Sequence, residues 1–212
     1  MFKGGADMIL LGTANQLRLA ALINLVKVAG VTLPVASTLK SLGVILDQQR
    51  TFDGHAAAVP KFCNYHTRAI KHVRHFLPES VARTLACSLI NSRLDYCNSL
   101  LHRAPESTLK KPHRSQNTAA RVILAANCRS DAKPLLRQLH WLPVCQRVLY
   151  KMAALTWKTR MSGVLTYLSE HLVPHVAIRS TRSASLPLLT VPKLITDFSR
   201  HSFFLFCIYY LK

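Results

Sequence analysis

Residues 91–101 read NSRLDYCNSLL, and they lie between two segments with helical periodicity. The stretch is dense in large, rigid or charged side chains. The segments before and after it are interpreted as supporting a basic, helical surface. Asp95 within it could be taken for a catalytic aspartate. Its neighbours Arg93 and Tyr96 instead favour a structural ion pair or a hydrogen bond at a helix end.

Before this stretch, the spacing of apolar residues predicts an amphipathic helix that Asp53 caps and that has Pro60 near its beginning. A second helix is predicted to begin at Pro78 and to run toward residue 91. The stripe of the first helix that is predicted to face the core consists of Phe62, Tyr65, Ala69, Val73 and Phe76. Its flank and opposite face carry the basic residues Lys61, Arg68, Lys71, His72 and His75.

After the central stretch, three more helices are predicted. The regular part of the first of these begins at Pro112, within residues 107–127. A short helix follows at residues 134–139, and a long one at residues 144–161. Trp141, between the last two, is interpreted as a packing residue at a helix junction.

The first 47 residues are predicted to form short strands, because brief apolar runs alternate with turn candidates. Gly30 suits a hairpin turn, and residues 17–26 are compatible with either a strand or a helix. Residues 41–47, SLGVILD, are the clearest predicted strand, with Asp47 as a turn residue or cap. The predicted fold class is therefore α+β, predominantly α, with short N-terminal β-strands, a bundle of about five helices and an extended C-terminal tail.

The composition points to a polyanionic partner. The chain has 28 lysines and arginines against 9 acidic residues, a net charge of +19. Between residues 61 and 160 there are 18 basic residues and 4 acidic ones, so most of the surplus lies in the middle of the chain. Such a basic surface favours nucleic acid over acidic proteins or anionic lipid.

Six cysteines without paired spacing, and an N-terminus without the pattern of a signal peptide, predict an intracellular protein, nuclear or cytoplasmic and not secreted. The longest apolar run, FFLFCIYYL at residues 203–211, is about half of the ~20 residues that a membrane-spanning helix needs. No transmembrane segment is therefore predicted.

No catalytic or cofactor site is predicted. Glycine-rich phosphate loops do not occur, and the nine acidic residues include no adjacent pair that could bind two metal ions. A cysteine and three histidines are a candidate zinc site, but structural zinc sites prefer paired cysteines, so a structural thiol and solvated histidines are favoured. Those four residues are Cys63, His66, His72 and His75. No metal ion and no small-molecule substrate are expected.

Basic residues spread over several helices are the candidate site for RNA or DNA, because guanidinium and ammonium groups attract phosphate. The candidate residues are Arg68, Lys71, Arg74, Arg121, Arg147, Lys151 and Lys158. Aromatic residues interleaved with them could stack on bases, or could belong to the core. These aromatic residues are Tyr65, Tyr96, Trp141 and Tyr150.

Three blocks of the sequence carry a resemblance to a known family. They are SRLDYCNSLL at residues 92–101, QNTAARVIL at 116–124 and LHWLPVCQRVLYK at 139–151. They resemble the segment downstream of the catalytic core in reverse transcriptases of LINE-class retrotransposons, which lack long terminal repeats. MILLGT and KSLGVILDQQRTFDGH, at residues 8–13 and 40–55, are similar to the end of the palm of these enzymes.

The resemblance implies a division of the chain. Residues 1–52 would be a remnant of the palm, 53–104 thumb-like helices, 105–178 a helical C-terminal region and 179–212 a loop and apolar tail. Leu42, Gly43 and Val44 would lie in a strand like the primer grip. The family's catalytic Y-x-D-D motif is expected upstream of the matching part. Residues 111–115 and the sequence after 203 depart from the family pattern.

The resulting hypothesis is a catalytically inactive remnant of a reverse transcriptase that binds RNA or DNA without sequence specificity. One alternative is a retrotransposon-derived translation product with no selected biochemical function. A weaker alternative is a protein that binds the membrane surface through its basic helix and apolar tail.

Overall fold

The computed structural model describes residues 8–162, 166–170 and 190. Helix accounts for 61% and strand for 12% of them, which confirms the predicted α+β class with helix predominant. The strands are β1 (Met8–Ile9), β2 (Leu25–Val28), β3 (Val31–Ala36), β4 (Thr38–Ser41) and β5 (Val44–Asp47). The helices are α1 (Ala14–Leu19), α2 (Asp53–Val73), α3 (Glu79–Ala86), α4 (Ser92–Asp95), α5 (Glu106–Ile123), α6 (Ala132–Gln138), α7 (Val144–Ser162) and α8 (Thr166–Ser169).

The strands form two small sheets. In the first, β3 lies between β1, which is parallel to it, and β2, which is antiparallel. Gly30 lies in the turn between β2 and β3 with a φ of 83°, so the predicted hairpin is confirmed. The ambiguous residues 17–26 contain both the end of α1 and the start of β2.

The second sheet corrects the prediction of one strand over residues 41–47. Ser41 pairs with Val44 across a two-residue turn, so β4 and β5 form a hairpin. Leu42 and Gly43, at this turn, both have positive φ, 47° and 80°. Such a turn matches the twist of paired strands and favours glycine, and the prediction missed it because LGVIL is uninterruptedly apolar.

Asp47 fixes the entry into α2, as its interpretation as a turn residue predicted. Its carboxylate accepts hydrogen bonds from the amides of Thr51 and Phe52, at 2.8 and 2.7 Å. Phe52 is buried in a left-handed conformation and directly precedes α2. Asp53 is thus the first residue of the helix rather than its cap, and its carboxylate accepts a hydrogen bond from the Thr108 hydroxyl at the start of α5.

The predicted core-facing stripe of α2 is wrong. Phe62, Tyr65, Val73 and Phe76 are exposed, and the buried face is offset around the helix. Most of the side chains on that face are small or polar, and the face packs against α5, whereas the prediction followed the largest apolar residues. The buried residues of α2 are His55, Ala56, Pro60, Cys63, Thr67 and Ile70.

Two prolines lie within helices rather than at their ends. Pro60 is in the interior of α2, and Pro112 is inside α5, which begins six residues earlier than its predicted regular part. A proline removes one hydrogen bond from a helix, so each of these two prolines lowers the stability of its helix. Both side chains are buried, and their packing contributes to offsetting this loss.

The stretch at residues 91–101 reverses the chain between α3 and α5. A π-helical turn, Cys87–Asn91, continues α3 into α4, and the helix ends at Tyr96. Cys97 has a φ of 52° and leads into a 3₁₀ turn, Asn98–Leu101. Leu94 and Leu101 are buried on either side of this reversal, so the stretch is packed against the helices.

The main core lies among the helices. Ala119 and Ala120 of α5 are fully buried and share a cluster with Cys63 and Ile70 of α2. Trp141 belongs to this cluster, which confirms its interpretation as a packing residue. A smaller cluster joins Val44 of β5 to the start of α2 and to α7. The β4–β5 hairpin therefore packs on the helices.

The first sheet contributes little to this core. In the described part of residues 1–43, no hydrophobic side chain is buried, and several leucines are exposed. Within residues 8–162, 166–170 and 190, no helix is long and apolar enough to cross a membrane. The predicted C-terminal loop and apolar tail lie outside the described residues, apart from Thr190.

Candidate nucleic-acid interface

A basic groove of about 740 Å³ runs between α2 and the C-terminal half of α5. Four of the seven candidate residues line it. Arg68, Lys71 and Arg74 come from α2 and the turn after it, and Arg121 comes from α5. Cations that are separated by about 50 residues in sequence are thus brought together on one surface.

The α2 wall of the groove follows helical spacing. Asn64, Arg68, Lys71 and His75 succeed one another at intervals of four, three and four residues, so they lie along one side of α2 and of the 3₁₀ turn after it. Arg68 and Lys71 are exposed to solvent, and their long side chains can reach a bound phosphate. Asn64 and His75 were not among the predicted site residues, although this spacing could have identified them.

The end of α5 forms the floor. Ala125 adopts a left-handed conformation, with a φ of 49°, and its amide donates to the Val122 carbonyl. The Ala126 amide donates to the Arg121 carbonyl at 2.9 Å, which completes a common helix termination. Arg74 then donates from Nε to the Ile123 carbonyl at 2.7 Å. The last turn of α5 is thereby tied to the end of α2.

Arg74 and Arg121 are held in place by backbone carbonyls. Arg74 also donates from a terminal nitrogen to Leu77 at 2.8 Å, and Arg121 donates from Nε to Ser130 at 3.0 Å. A guanidinium has five N–H groups, so these bonds orient each side chain and use only part of its donor capacity. The two arginines therefore combine a structural role with a fixed positive charge in the groove.

No acidic side chain balances the positive charges of the groove in the part of the chain that the structure describes. The lining of the groove contains no acidic residue. The salt bridges within these residues join Arg83 to Glu79, Lys110 to Glu106 and Arg147 to Asp95, all outside the groove. Positive charges without nearby counter-charges attract anions by Coulomb forces.

The three candidate residues of α7 do not line this groove. Arg147 forms a 2.8 Å ion pair with Asp95, and its side chain is only 11% exposed. Asp95 thus has the structural role predicted for it, with Arg147 rather than Arg93 as its partner. Lys151 and Lys158 are exposed on the same helix. They lie at helical spacing from Arg147 and form a separate basic surface.

The four aromatic residues that alternate with the basic candidates also differ in their surroundings, because two make structural contacts and two are exposed on helices. Trp141 is buried, and the Tyr96 hydroxyl donates a 2.6 Å hydrogen bond to the Leu42 carbonyl, which holds the β4–β5 turn against the helices. Tyr65 and Tyr150 are exposed on α2 and α7. Their rings are more exposed than those of Tyr96 and Trp141.

The three residues that resemble the primer grip have different surroundings. Leu42 is exposed at the hairpin tip, and Val44 is buried in the smaller core cluster. Gly43 borders a cavity of about 140 Å³ between the hairpin and α2. Arg93 and His55 also line this cavity. Burial, and secondarily the charge of Arg93, lowers the pKa of His55, which favours its neutral form.

The residues considered as zinc ligands do not converge. Cys63 is fully buried and its thiol faces the Ile90 carbonyl, whereas His72 is exposed on the opposite side of α2. Burial raises the pKa of the Cys63 thiol to about 11, against the smaller opposing effect of Arg93. Among the described residues, no three histidine, cysteine or acidic side chains are grouped as metal ligands would be.

Comparison with known proteins identifies no relatives. No family model matches the chain. No curated protein and no solved structure matches it either.

Proposed function

We propose that this protein binds RNA or DNA without sequence specificity, with the phosphate backbone in the groove between α2 and α5. The observation that supports this most directly is the convergence of Arg68, Lys71, Arg74 and Arg121 in a lining without acidic residues. Phosphates are bound through charge, and such contacts position a nucleic acid without reading its sequence.

Binding at the groove can be distinguished by experiment from attraction through the net charge alone. Any chain of net charge +19 retains nucleic acid at low salt, so low-salt retention is uninformative. In a defined site, replacing the contacting cations changes the number of counterions that binding releases. If binding is diffuse, replacing any two cations has the same effect on the salt dependence.

The double substitution Arg68→Ala and Lys71→Ala is therefore expected to weaken binding and to reduce the salt dependence. On single strands the slope of log affinity against log salt is about −0.7 per neutralised phosphate, so losing two contacts flattens it by about 1.4. The measurement is fluorescence anisotropy with a labelled oligonucleotide over a series of salt concentrations.

The matched control is Arg18→Ala with Lys27→Ala. It also removes one exposed arginine and one exposed lysine, but from α1 and β2, outside the groove. It is expected to leave the slope nearly unchanged. Equal flattening by both double variants would contradict a defined site and favour a translation product without selected function.

We also propose that this chain, which resembles LINE-class reverse transcriptases in the sequence blocks described above, has no polymerase activity of its own. The geometry of the carboxylates is consistent with inactivity. Metal-assisted phosphoryl transfer needs carboxylates that converge on ions ~3.5–4 Å apart. Six carboxylates instead make structural contacts within the described residues, namely those of Asp47, Asp53, Glu79, Asp95, Glu106 and Asp131.

The purified protein is accordingly expected to extend no primer when it is supplied with template, nucleotides and magnesium. Product formation is measured by gel electrophoresis, with an active reverse transcriptase as the positive control. Template-dependent extension that persists through repeated purification would contradict this part of the proposal, and would leave the binding proposal untouched.

A further inference from the structure

The solvent-facing side of α2 carries a stripe of alternating basic and aromatic residues that the groove does not include in full. Its members are Lys61, Tyr65, Arg68, His72 and Phe76. They follow one another at intervals of four, three, four and four residues, so they share one side of α2 and the turn after it. We call these five residues the α2 stripe, and all five are exposed.

The two aromatic rings of the α2 stripe are largely exposed. Tyr65 is 70% exposed and Phe76 is 78% exposed. Each ring contacts a neighbouring histidine, with centroids 5.2 Å apart for Tyr65 and His66 and 3.8 Å apart for His75 and Phe76. These contacts restrict the rings while leaving much of their surface in solvent.

We propose that the α2 stripe binds unpaired bases, so that the preferred ligand is single-stranded nucleic acid. This inference rests on the proposed binding of phosphates in the groove. Arg68 belongs to both surfaces, and it therefore connects the groove to the stripe. A strand that leaves the groove over Arg68 has a basic side chain for its phosphates and an exposed ring for its bases.

The dimensions of the α2 stripe fit a strand of several nucleotides. Tyr65 and Phe76 are eleven residues apart, which corresponds to roughly 16 Å along a helix at ~1.5 Å per residue. A stacked strand carries a phosphate about every 3.4 Å, so the interval spans about five nucleotides. Lys61 and Arg68 flank Tyr65 at helical spacing, so a phosphate on either side of a stacked base has a cation nearby.

The charges of the α2 stripe favour a nucleic-acid strand over an apolar protein partner. An apolar partner would have to cover Lys61 and Arg68, whose charges lie between and beside the rings, and desolvating them without counter-charges is costly. A nucleic-acid strand supplies those counter-charges together with flat, apolar base faces. Base–aromatic stacking adds affinity for each stacked base, and it tolerates any base because each has a π-face.

The test compares three ligands with the full-length protein, namely a deoxyadenosine strand, an abasic strand of equal length, and a duplex that contains the deoxyadenosine strand. The wild-type protein is expected to bind the deoxyadenosine strand at least about tenfold more tightly than the abasic strand. Tyr65→Ala with Phe76→Ala is expected to abolish that difference. Affinity for the abasic strand and the duplex, and the salt slope, should stay unchanged.

Three controls make the outcome decisive. Tyr65→Phe with Phe76→Tyr keeps both rings and is expected to keep the preference for bases. Tyr167→Ala removes a tyrosine of similar exposure, 64%, from α8 and is expected to have no effect. Circular dichroism of each variant reports whether the helices are retained.

Equal wild-type affinity for the abasic and deoxyadenosine strands would overturn the inference, and so would an equal loss on both strands in the ring variant. Sedimentation analysis covers the remaining possibility. A ring variant that changes the oligomeric state but not strand affinity would assign the rings to contact between copies of the chain. Loss of binding in Arg68→Ala with Lys71→Ala would still support the groove, so the two proposals fail separately.

Discussion

Replacing Trp141 by alanine is expected to lower the free energy of unfolding by about 3–5 kcal/mol, the usual cost of removing a large aromatic side chain from a core. Trp141 is 7% exposed and packs in the main cluster beside Leu139 and Val144, where α6, α5 and α7 meet. A small domain has a stability of only about 5–15 kcal/mol, so much of the folded population could be lost. Urea denaturation followed by circular dichroism measures the change.

The chain contains a matched control, because its other tryptophan is on the surface. Trp157 lies on α7 and is 61% exposed, so Trp157→Ala is expected to change stability by no more than about 0.5 kcal/mol. Similar losses from the two substitutions would mean that the helical core described here does not form in solution.

Two N-terminal deletions are expected to have opposite consequences. Removing residues 1–36 deletes the first sheet but keeps the β4–β5 hairpin, and it removes exposed leucines such as Leu19 and Leu22. Because exposed apolar surface favours association, the yield of monomer should rise. One described loss is the hydrogen bond from the Gly12 amide to the Gln48 carbonyl, at 3.1 Å.

Removing residues 1–47 extends the deletion by eleven residues and is expected to destabilise the helices by about 3–6 kcal/mol. It removes the buried side chain of Val44 and the Asp47 carboxylate that binds the amides before α2. Light scattering after size exclusion measures the monomer, and urea denaturation measures stability. The packing described for the hairpin would be contradicted if the variant that lacks residues 1–36 is unfolded. It would also be contradicted if the two deletion variants are equally stable.

The sequence predicted helices more successfully than it predicted their orientation. The helical segments could be located because apolar spacing and prolines mark them. The buried face of α2 could not, because packing against α5 places Cys63 and Thr67 there rather than larger side chains. Size and hydropathy favour Phe62 and Tyr65 for the core, whereas the space between two closely packed helices excludes them.

The candidate site was predictable in composition but not in arrangement. Arg68 and Lys71 could be paired from their spacing on one helix. Nothing in the sequence indicated that Arg121 lies opposite them, because that depends on how α5 packs on α2. Nor could the ion pair of Arg147 with Asp95 be anticipated, since those residues are 52 positions apart.

The contact between Arg74 and the Ile123 carbonyl has an electrostatic consequence for the groove. The aligned peptide dipoles of a helix place roughly half a negative charge at its C-terminus, and Ile123 is the last residue of α5. Arg74 therefore neutralises the negative pole of α5 as well as contributing to the groove. The field available to a phosphate is smaller than four formal charges would produce, and Arg68 and Lys71 account for the larger share of it.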